Sequence, residues 1–393
     1  MVVPGFQFAG VSCGIKESGK RDLALIYSEA PAVAVGAFTT NRVKAAPVLI
    51  GEERLRAGQL QAIVVNSGNA NASTGQAGLK VARDSCHLVA QALKIPDRLV
   101  IPSSTGKIGV LLPWDKVRRG IEDACRLLSL EGFWDALEGI MTTDAFPKAS
   151  QRKLAIDGKE VVVAAMAKGA GMIAPNMATM LCYVMTDAYI SRAALEQILR
   201  NGLADSFNVI TVDGDTSTND TVMLMANGRA GNREVRAGGL GFTPLNNAVV
   251  EVLKEVARLV VKDGEGATKI VDIFVRGAKD DMEAQQVARA VAYSPLVKTA
   301  FFGGDPNWGR IVCAVGYAGA EVKPEKVDIL IDDVPIGKNG ISTGAQSEAQ
   351  AAQVMRQPEF SVTIDLHLGR GRAHVITSDL SLAYVRFNSA YST

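Results

Sequence analysis

Lys168–Ala188 reads KGAGMIAPNMATMLCYVMTDA. Upstream, Lys159–Ala167 (KEVVVAAMA) is an apolar, β-branched run ending in small residues, the pattern of a buried strand entering a glycine-rich turn. Pro175-Asn176 marks a second turn, and Met180–Met185 is another apolar run of strand length. Ser191 then stands as N-cap for a helical stretch, Arg192–Phe207. One hydroxyl, Thr179, lies at the edge of the second apolar run. A threonine there either begins a strand or serves as a nucleophile, and the stretch alone leaves both readings open.

The same alternation extends outward. Leu60–Gly68 and Arg98–Pro113 carry apolar strands that run into polar Gly/Asn turns, while Gly78–Ile95 and Asp115–Ser129 have helical spacing. The longest helix falls within Pro244–Gly266, with Val249, Leu253, Val256 and Val260 on its apolar face and Asp263-Gly264 as its stop. Beyond it, Lys269–Gly277 reads as a strand, Asp281–Val297 as one helix, and Val327–Ile336 and Ser361–Leu380 as strands, the last as a hairpin region. In it Val362, Ile364, Leu366 and Leu368 alternate with polar residues, as in a half-buried antiparallel strand. Gly228–Gly241 reads as an exposed loop. Strands covered by helices place the chain in the α/β class.

Bulk composition narrows the function. The 393 residues suggest two or three domains, and 48% hydrophobic with 21% charged residues is ordinary for a globular chain. Forty-two basic residues against 41 acidic ones leave a net charge of +1, so neither nucleic acid nor an anionic membrane surface is indicated as a partner. Five cysteines, widely spaced and without a CxxC, point to a reducing compartment. The start lacks a signal-peptide pattern, and the longest apolar candidate, 161–185, is broken by Lys168, Pro175 and Asn176. The expectation is a cytoplasmic protein.

Chemistry is narrowed by elimination. The three histidines, His87, His367 and His374, lie in a helix or in the C-terminal strand region, away from a nucleophile-bearing glycine loop. No His/Cys pair has zinc-ligand spacing, and Asp213 and Asp215 lack the remaining spacing of a calcium loop, so no metal is expected. Walker A and GxGxxG patterns are absent. A threonine needs no histidine if it is the first residue of a chain, because its own α-amine, with a pKa near roughly 7.7–8, can take the hydroxyl proton. That requires cutting the bond between Ala178 and Thr179: the hydroxyl attacks the Ala178 carbonyl, and water opens the resulting ester.

The segment Lys168–Leu181 resembles the processing segment of the ornithine acetyltransferase family, also called bifunctional glutamate N-acetyltransferase. The resemblance continues in order through VVNSGNANASTG (64–75), SSTGKIG (103–109), MTTDAFPK (141–148), VDGDTSTNDTV (212–222), DGEGATK (263–269), SPLVKTAFFGGDPNWGRI (294–311) and YVRFNSAYST (384–393). It implies an enzyme of arginine biosynthesis with a layered αββα sandwich, similar to the self-processing aminopeptidases, and a second smaller α/β domain within about 275–393. The precursor would cut itself into an α chain, residues 1–178, and a β chain, 179–393, usually assembled as an α2β2 heterotetramer. Thr179 would carry acetyl in a ping-pong transfer from N2-acetylornithine to glutamate. Thr105 and Gly106 match the oxyanion hole, and Lys168, Glu265, Asn388 and Thr393 match substrate contacts. In the MTTDAFPK motif this chain has Ala145 where many relatives carry a hydroxyl; Thr143 is the nearest retained candidate contact. No cofactor is implied. Acetyl-CoA as a second acetyl donor stays open, as does the alternative of a self-processing N-terminal-nucleophile aminopeptidase, which would pass the acyl group to water.

Overall fold

A computed structural model describes residues 1–174 and 180–390. The strands are β1 (Phe6–Val11), β2 (Leu23–Phe38), β3 (Gln59–Asn69), β4 (Val100–Lys107), β5 (Lys148–Ile156), β6 (Lys159–Lys168), β7 (Leu181–Thr186), β8 (Ile210–Thr211), β9 (Thr221–Ala226), β10 (Ile270–Ala278), β11 (Asp328–Ile331), β12 (Val334–Lys338), β13 (Ile341–Ser342), β14 (Glu359–Asp365) and β15 (Gly371–Ser378). The chain forms two compact units. The first takes Met1–Asn208 and Asp215–Val260; the second takes Val209–Gly214 and the described residues from Val261 to Ala390.

Among the described residues of the first unit, the strands run in the order β4-β3-β2-β9-β7-β6-β5, with β1 added beside β2. The 16-residue β2 joins two halves. Its first part pairs with β3 (Leu23↔Asn66 to Tyr27↔Ala62), and its second part pairs with β9 (Val33↔Ala226 to Phe38↔Thr221). Period-two alternation then assigns the faces. Ala24, Ile26, Ile63 and Val65 from one half share a buried cluster with Val162, Ala164, Met166, Tyr183, Met185, Met223 and Met225 from the other. The alternate residues Leu23, Leu25, Ala62 and Val64 face outward, against Cys86, Val89 and Ala90 of the helix Gly75–Leu93 and Val117, Ile121 and Ala124 of the helix Trp114–Leu127. Val163, Ala165, Val184, Val222 and Leu224, on the other half's outer face, are buried too. The helices Arg192–Ala204 and Phe242–Lys262 meet where Gly202 leaves room for Leu253; a methyl at Gly202 would lie 2.4 Å from the Leu253 Cδ1. The result is helix–sheet–sheet–helix layering. The expected apolar face of the long helix, Val249, Leu253, Val256 and Val260, is fully buried.

The second unit holds a sheet in the order β13-β12-β11-β14-β10-β15-β8. Its core joins Val271, Ile273, Val275, Val362, Ile364 and Val375 to helix residues such as Val287, Val291 and Phe301. The second domain, expected within about 275–393, thus corresponds to a unit that begins at Val261 and also takes in Val209–Gly214, because β8 pairs in parallel with β15.

Two local expectations change. The single helix expected over Asp281–Val297 is two, Asp281–Tyr293 and Pro295–Gly303. Ser294 caps the second, its hydroxyl accepting from the Val297 N–H, and Pro295 occupies the first turn, where a missing N–H costs nothing. The expected C-terminal hairpin is also not one. β10 lies between β14 and β15, pairing in parallel with the first and antiparallel with the second.

Candidate functional site

In the first unit the site is built from strand ends. β3 and β4 run parallel, with Ser67 opposite Thr105 and Gly68 opposite Gly106, and the ladder shifts register at Asn69. Gly106 has φ +130, and a methyl there would stand 2.3 Å from the Gly68 carbonyl carbon and 2.5 Å from the Asn69 nitrogen. Only a glycine lets these two backbones approach so closely in that conformation. The asparagines of the Val64–Gly75 motif tie the loop from within. The Asn66 amide donates to the Asn69 carbonyl at 2.7 Å, and the Asn69 side-chain oxygen accepts from the Asn71 N–H at 2.8 Å.

Lys168 is the last residue of β6 rather than a solvated loop lysine, and it is only 4% exposed. Its ammonium donates to the Thr105 hydroxyl at 3.2 Å. A hydroxyl that accepts from an ammonium keeps its own proton to donate elsewhere, and the adjacent positive charge favours that donation toward an anionic oxygen. The β6–β7 register sets Lys168 opposite Leu181. The Thr105–Lys168 pair therefore lies beside the start of the strand that follows Thr179. Ala178 and Thr179 lie outside the described residues, as does Thr393.

Behind Lys168 is an ion pair not anticipated from the sequence. Asp144 Oδ1 accepts from the Lys148 ammonium at 2.6 Å and from the Gly169 N–H at 2.7 Å, and Oδ2 accepts from the Thr142 N–H at 2.8 Å. Both charged side chains are completely buried. Burial alone would raise the Asp144 pKa, but the positive charges of Lys168 and Lys148 outweigh it and hold the carboxyl well below the usual range. The flanking Thr143 is half-exposed and Ala145 exposed. The ion pair's signal in the sequence is an Asp and a Lys four apart in MTTDAFPK. Lys16 is a further lysine drawn out of solvent, and no local pattern in the sequence marks it. Its ammonium donates to the carbonyls of Arg21 at 2.6 Å and Met141 at 2.7 Å, and its segment is pinned by Asp22, which accepts from the N–H groups of Cys13, Ile15 and Lys16. Burial, reinforced by the charge of Lys168, brings the Lys16 pKa down to about 8.

Glu265 and Asn388 belong to the second unit. The Asn388 amide donates to Glu265 Oε2 at 3.1 Å, so the helix Leu382–Ala390 brings these two residues together. The turn carrying Glu265 is held at both sides: Asp379 accepts from the Thr268 N–H and hydroxyl and from the Lys269 N–H, and the Ser381 hydroxyl donates to the Gly266 carbonyl at 2.6 Å. Among the described residues there is no cluster of metal-ligating side chains, and no helix is long and apolar enough to cross a membrane.

Residues 7–393 match the profile of the ArgJ family. The chain is 50% identical over 393 residues to the arginine biosynthesis bifunctional protein ArgJ of Geobacter sulfurreducens, covering all of both chains. It is 49% identical over 391 residues to the protein of the same name from Syntrophotalea carbinolica, covering all of this chain and 99% of the relative. The crystal structure of arginine biosynthesis bifunctional protein ArgJ from Bacillus halodurans is 40% identical, with a TM-score of 0.51 over 53% of this chain and 98% of that one.

Proposed function

The chain belongs to the ArgJ family, and from that premise we propose that it transfers acetyl from N2-acetylornithine to glutamate in arginine biosynthesis, through an acetyl ester on Thr179. The observation that carries the reading is the buried ammonium–hydroxyl pair of Lys168 and Thr105 beside the start of β7. In the precursor the Thr179 hydroxyl attacks the Ala178 carbonyl, the Thr179 nitrogen leaves as an amine, and water hydrolyses the ester to free the hydroxyl. The new α-amine then accepts the hydroxyl proton as the oxygen attacks the acetyl carbonyl of acetylornithine. The oxyanion formed takes hydrogen bonds from the Thr105 hydroxyl and the Gly106 N–H. Ornithine leaves with a proton on its amine, and the glutamate amine attacks the acetyl ester in the reverse sense, releasing N-acetylglutamate and restoring Thr179.

Fixed charge suits zwitterionic substrates. Glu265 is suited to an ammonium, with Asn388 orienting it; Lys168 supplies positive charge, and Thr393, with Thr143 and Ala145 in lesser roles, completes the proposed contacts. The reaction needs no cofactor. The relatives are named bifunctional, and acetyl-CoA is proposed as a second acetyl donor on the same threonine. Assembly as an α2β2 heterotetramer in the cytoplasm belongs to the same proposal.

Intact mass spectrometry tests it. The expected outcome is two fragments, 1–178 and 179–393, with one acetyl added to the second after incubation with acetylornithine. Thr179→Ala should remain a single chain. An uncleaved wild-type chain that still transfers acetyl, or an acetyl group on another side chain, overturns the mechanism. Release of free acetate instead of N-acetylglutamate favours the aminopeptidase-like alternative.

A further inference from the structure

The motif Val212–Val222 contains a stretch, Ser217–Thr221, that the acetyl-transfer reading leaves without a task. It is a buried junction. The Asn219 side-chain amide donates to two backbone carbonyls, Ala70 at 2.7 Å and Ser104 at 2.8 Å, and its side-chain oxygen accepts from the Thr218 hydroxyl at 2.6 Å. Ser104 immediately precedes Thr105, and its own hydroxyl is tied to Asn66 at 2.6 Å. The next residue, Asp220, is 1% exposed. Its Oδ1 accepts from the Met180 N–H at 3.0 Å, its backbone carbonyl accepts from the Thr39 N–H at 3.0 Å, and the following Thr221 N–H donates to the Met180 carbonyl at 3.0 Å. Both polar groups of the Met180 backbone are therefore held by two consecutive residues, and Met180 is the chain neighbour of Thr179.

A carboxyl is an expensive group to bury at such a junction. Burial raises the Asp220 pKa well above the ordinary range, although the Met180 N–H, the Thr39 hydroxyl and the Ser217 backbone all favour its ionised form. A buried polar group kept at such a cost calls for a reason beyond stability. The placement supplies one: the short Asn219-Asp220 step reaches the strand end bearing Thr105–Gly106 with one side chain and the peptide after Thr179 with the next.

We infer that Asn219 and Asp220 are positioning residues for the acetyl-transfer site, Asn219 fixing the backbone that leads into Thr105–Gly106 and Asp220 fixing the peptide group that follows Thr179. The inference rests on the assignment of Thr179 as nucleophile and Thr105–Gly106 as oxyanion donors. Asp220 works here as an acceptor, so an amide of the same shape serves.

The test compares Asn219→Ala, Asp220→Ala and Asp220→Asn in the full chain, by self-cleavage rate, by kcat and KM for acetylornithine and glutamate, and by hydrogen exchange at the Met180 amide. A misplacement of about 1 Å at a reacting group costs on the order of 100-fold in rate. Asn219→Ala and Asp220→Ala are expected to lose at least about tenfold in kcat and in cleavage rate, with KM nearly unchanged. Asp220→Asn should keep near-wild-type kcat and Met180 protection, whereas Asp220→Ala should expose that amide. If the alanine variants do not fold, Asn219→Ser and Asp220→Ser, too short to span the same distances, carry the comparison. Folded alanine or serine variants with wild-type kcat and cleavage overturn the inference. So does an Asp220→Asn variant as impaired as Asp220→Ala, which makes the carboxyl itself the requirement. The exchange arm stands apart from the parent reading: cleavage and acetylation of the wild type report on Thr179, and protection of the Met180 amide reports on Asp220.

Discussion

Gly106→Ala puts the proposed oxyanion hole to a quantitative test. The added methyl would stand 2.3 Å from the Gly68 carbonyl carbon and 2.5 Å from the Asn69 nitrogen, about 1 Å short of ordinary contact. Neither obstacle is the flexible end of a side chain, so a backbone must move. The φ of +130 adds strain of about 1–3 kcal/mol for any residue with a Cβ. Moving the strand end displaces the Gly106 N–H and the Thr105 hydroxyl from the developing oxyanion. Loss of one such donor costs about 100- to 1000-fold in kcat, or about 2.7–4 kcal/mol of barrier. The expected outcome is a kcat for acetyl transfer lowered by that factor with KM changed little, because the donors act on charge that exists only in the transition state. Gly109→Ala is the control. It also has positive φ, +78, but a methyl there meets nothing within 4 Å, so it should lose some stability and retain kcat. Steady-state kinetics with acetylornithine and glutamate on folded, fully cleaved protein decides the matter. A Gly106→Ala enzyme turning over at a near-wild-type rate would refute the assignment.

Three further outcomes follow from the charges. Asp144→Asn removes the carboxylate from the buried pair with Lys148, and removing one partner of a buried pair costs about 3–5 kcal/mol, so a large drop in thermal midpoint is expected. Because the folded pKa of Asp144 is depressed, its contribution is present above the ordinary carboxylate pKa and is lost as pH falls below it, so the thermal midpoints of wild type and variant should differ at neutral pH and converge only in acid. Lys298 gives a slope of the same sign in a higher pH window. Burial lowers its pKa from 10.5 to about 7, so between these values the unfolded chain holds a proton that the folded chain lacks. Stability should rise with pH across that window by about 1.4 kcal/mol per unit from this group, and Lys298→Met should remove that part of the slope in denaturant titrations at pH 7.5 and 9.5. Glu265→Gln keeps the partner geometry for Asn388 but removes the charge offered to a substrate ammonium. A charged hydrogen bond is worth about 1.5–3 kcal/mol, so KM should rise roughly 10- to 100-fold, and a change of less than about twofold would remove Glu265 from the site.

The layers of the first unit were readable because their signal is local. Val162, Ala164 and Met166 face one way and Val161, Val163 and Ala165 the other, and two buried faces produce the continuous apolar runs seen at β6 and β7. The long helix and the Ser191 cap were readable for the same reason: their periods and caps lie within a few residues of one another. Where the reading failed, the deciding partner was distant. Nothing in Ser361–Leu380 shows that β10 inserts between its two strands. Lys168 is 63 residues from Thr105, and Asn219 is 115 residues from Ser104. A lysine after an alanine run and an Asn-Asp pair in a threonine-rich stretch look the same in a sequence whether they face water or a buried carbonyl. What separates the cases is cost. A charge or amide taken out of water must recover its lost hydrogen bonds from fixed neighbours, so strand ends that bury Lys148, Lys168, Asn219 and Asp220 within one unit cannot be casual loop termini. The concentration of such groups around the start of β7, more than any single motif, is the physical reason for placing the chemistry there.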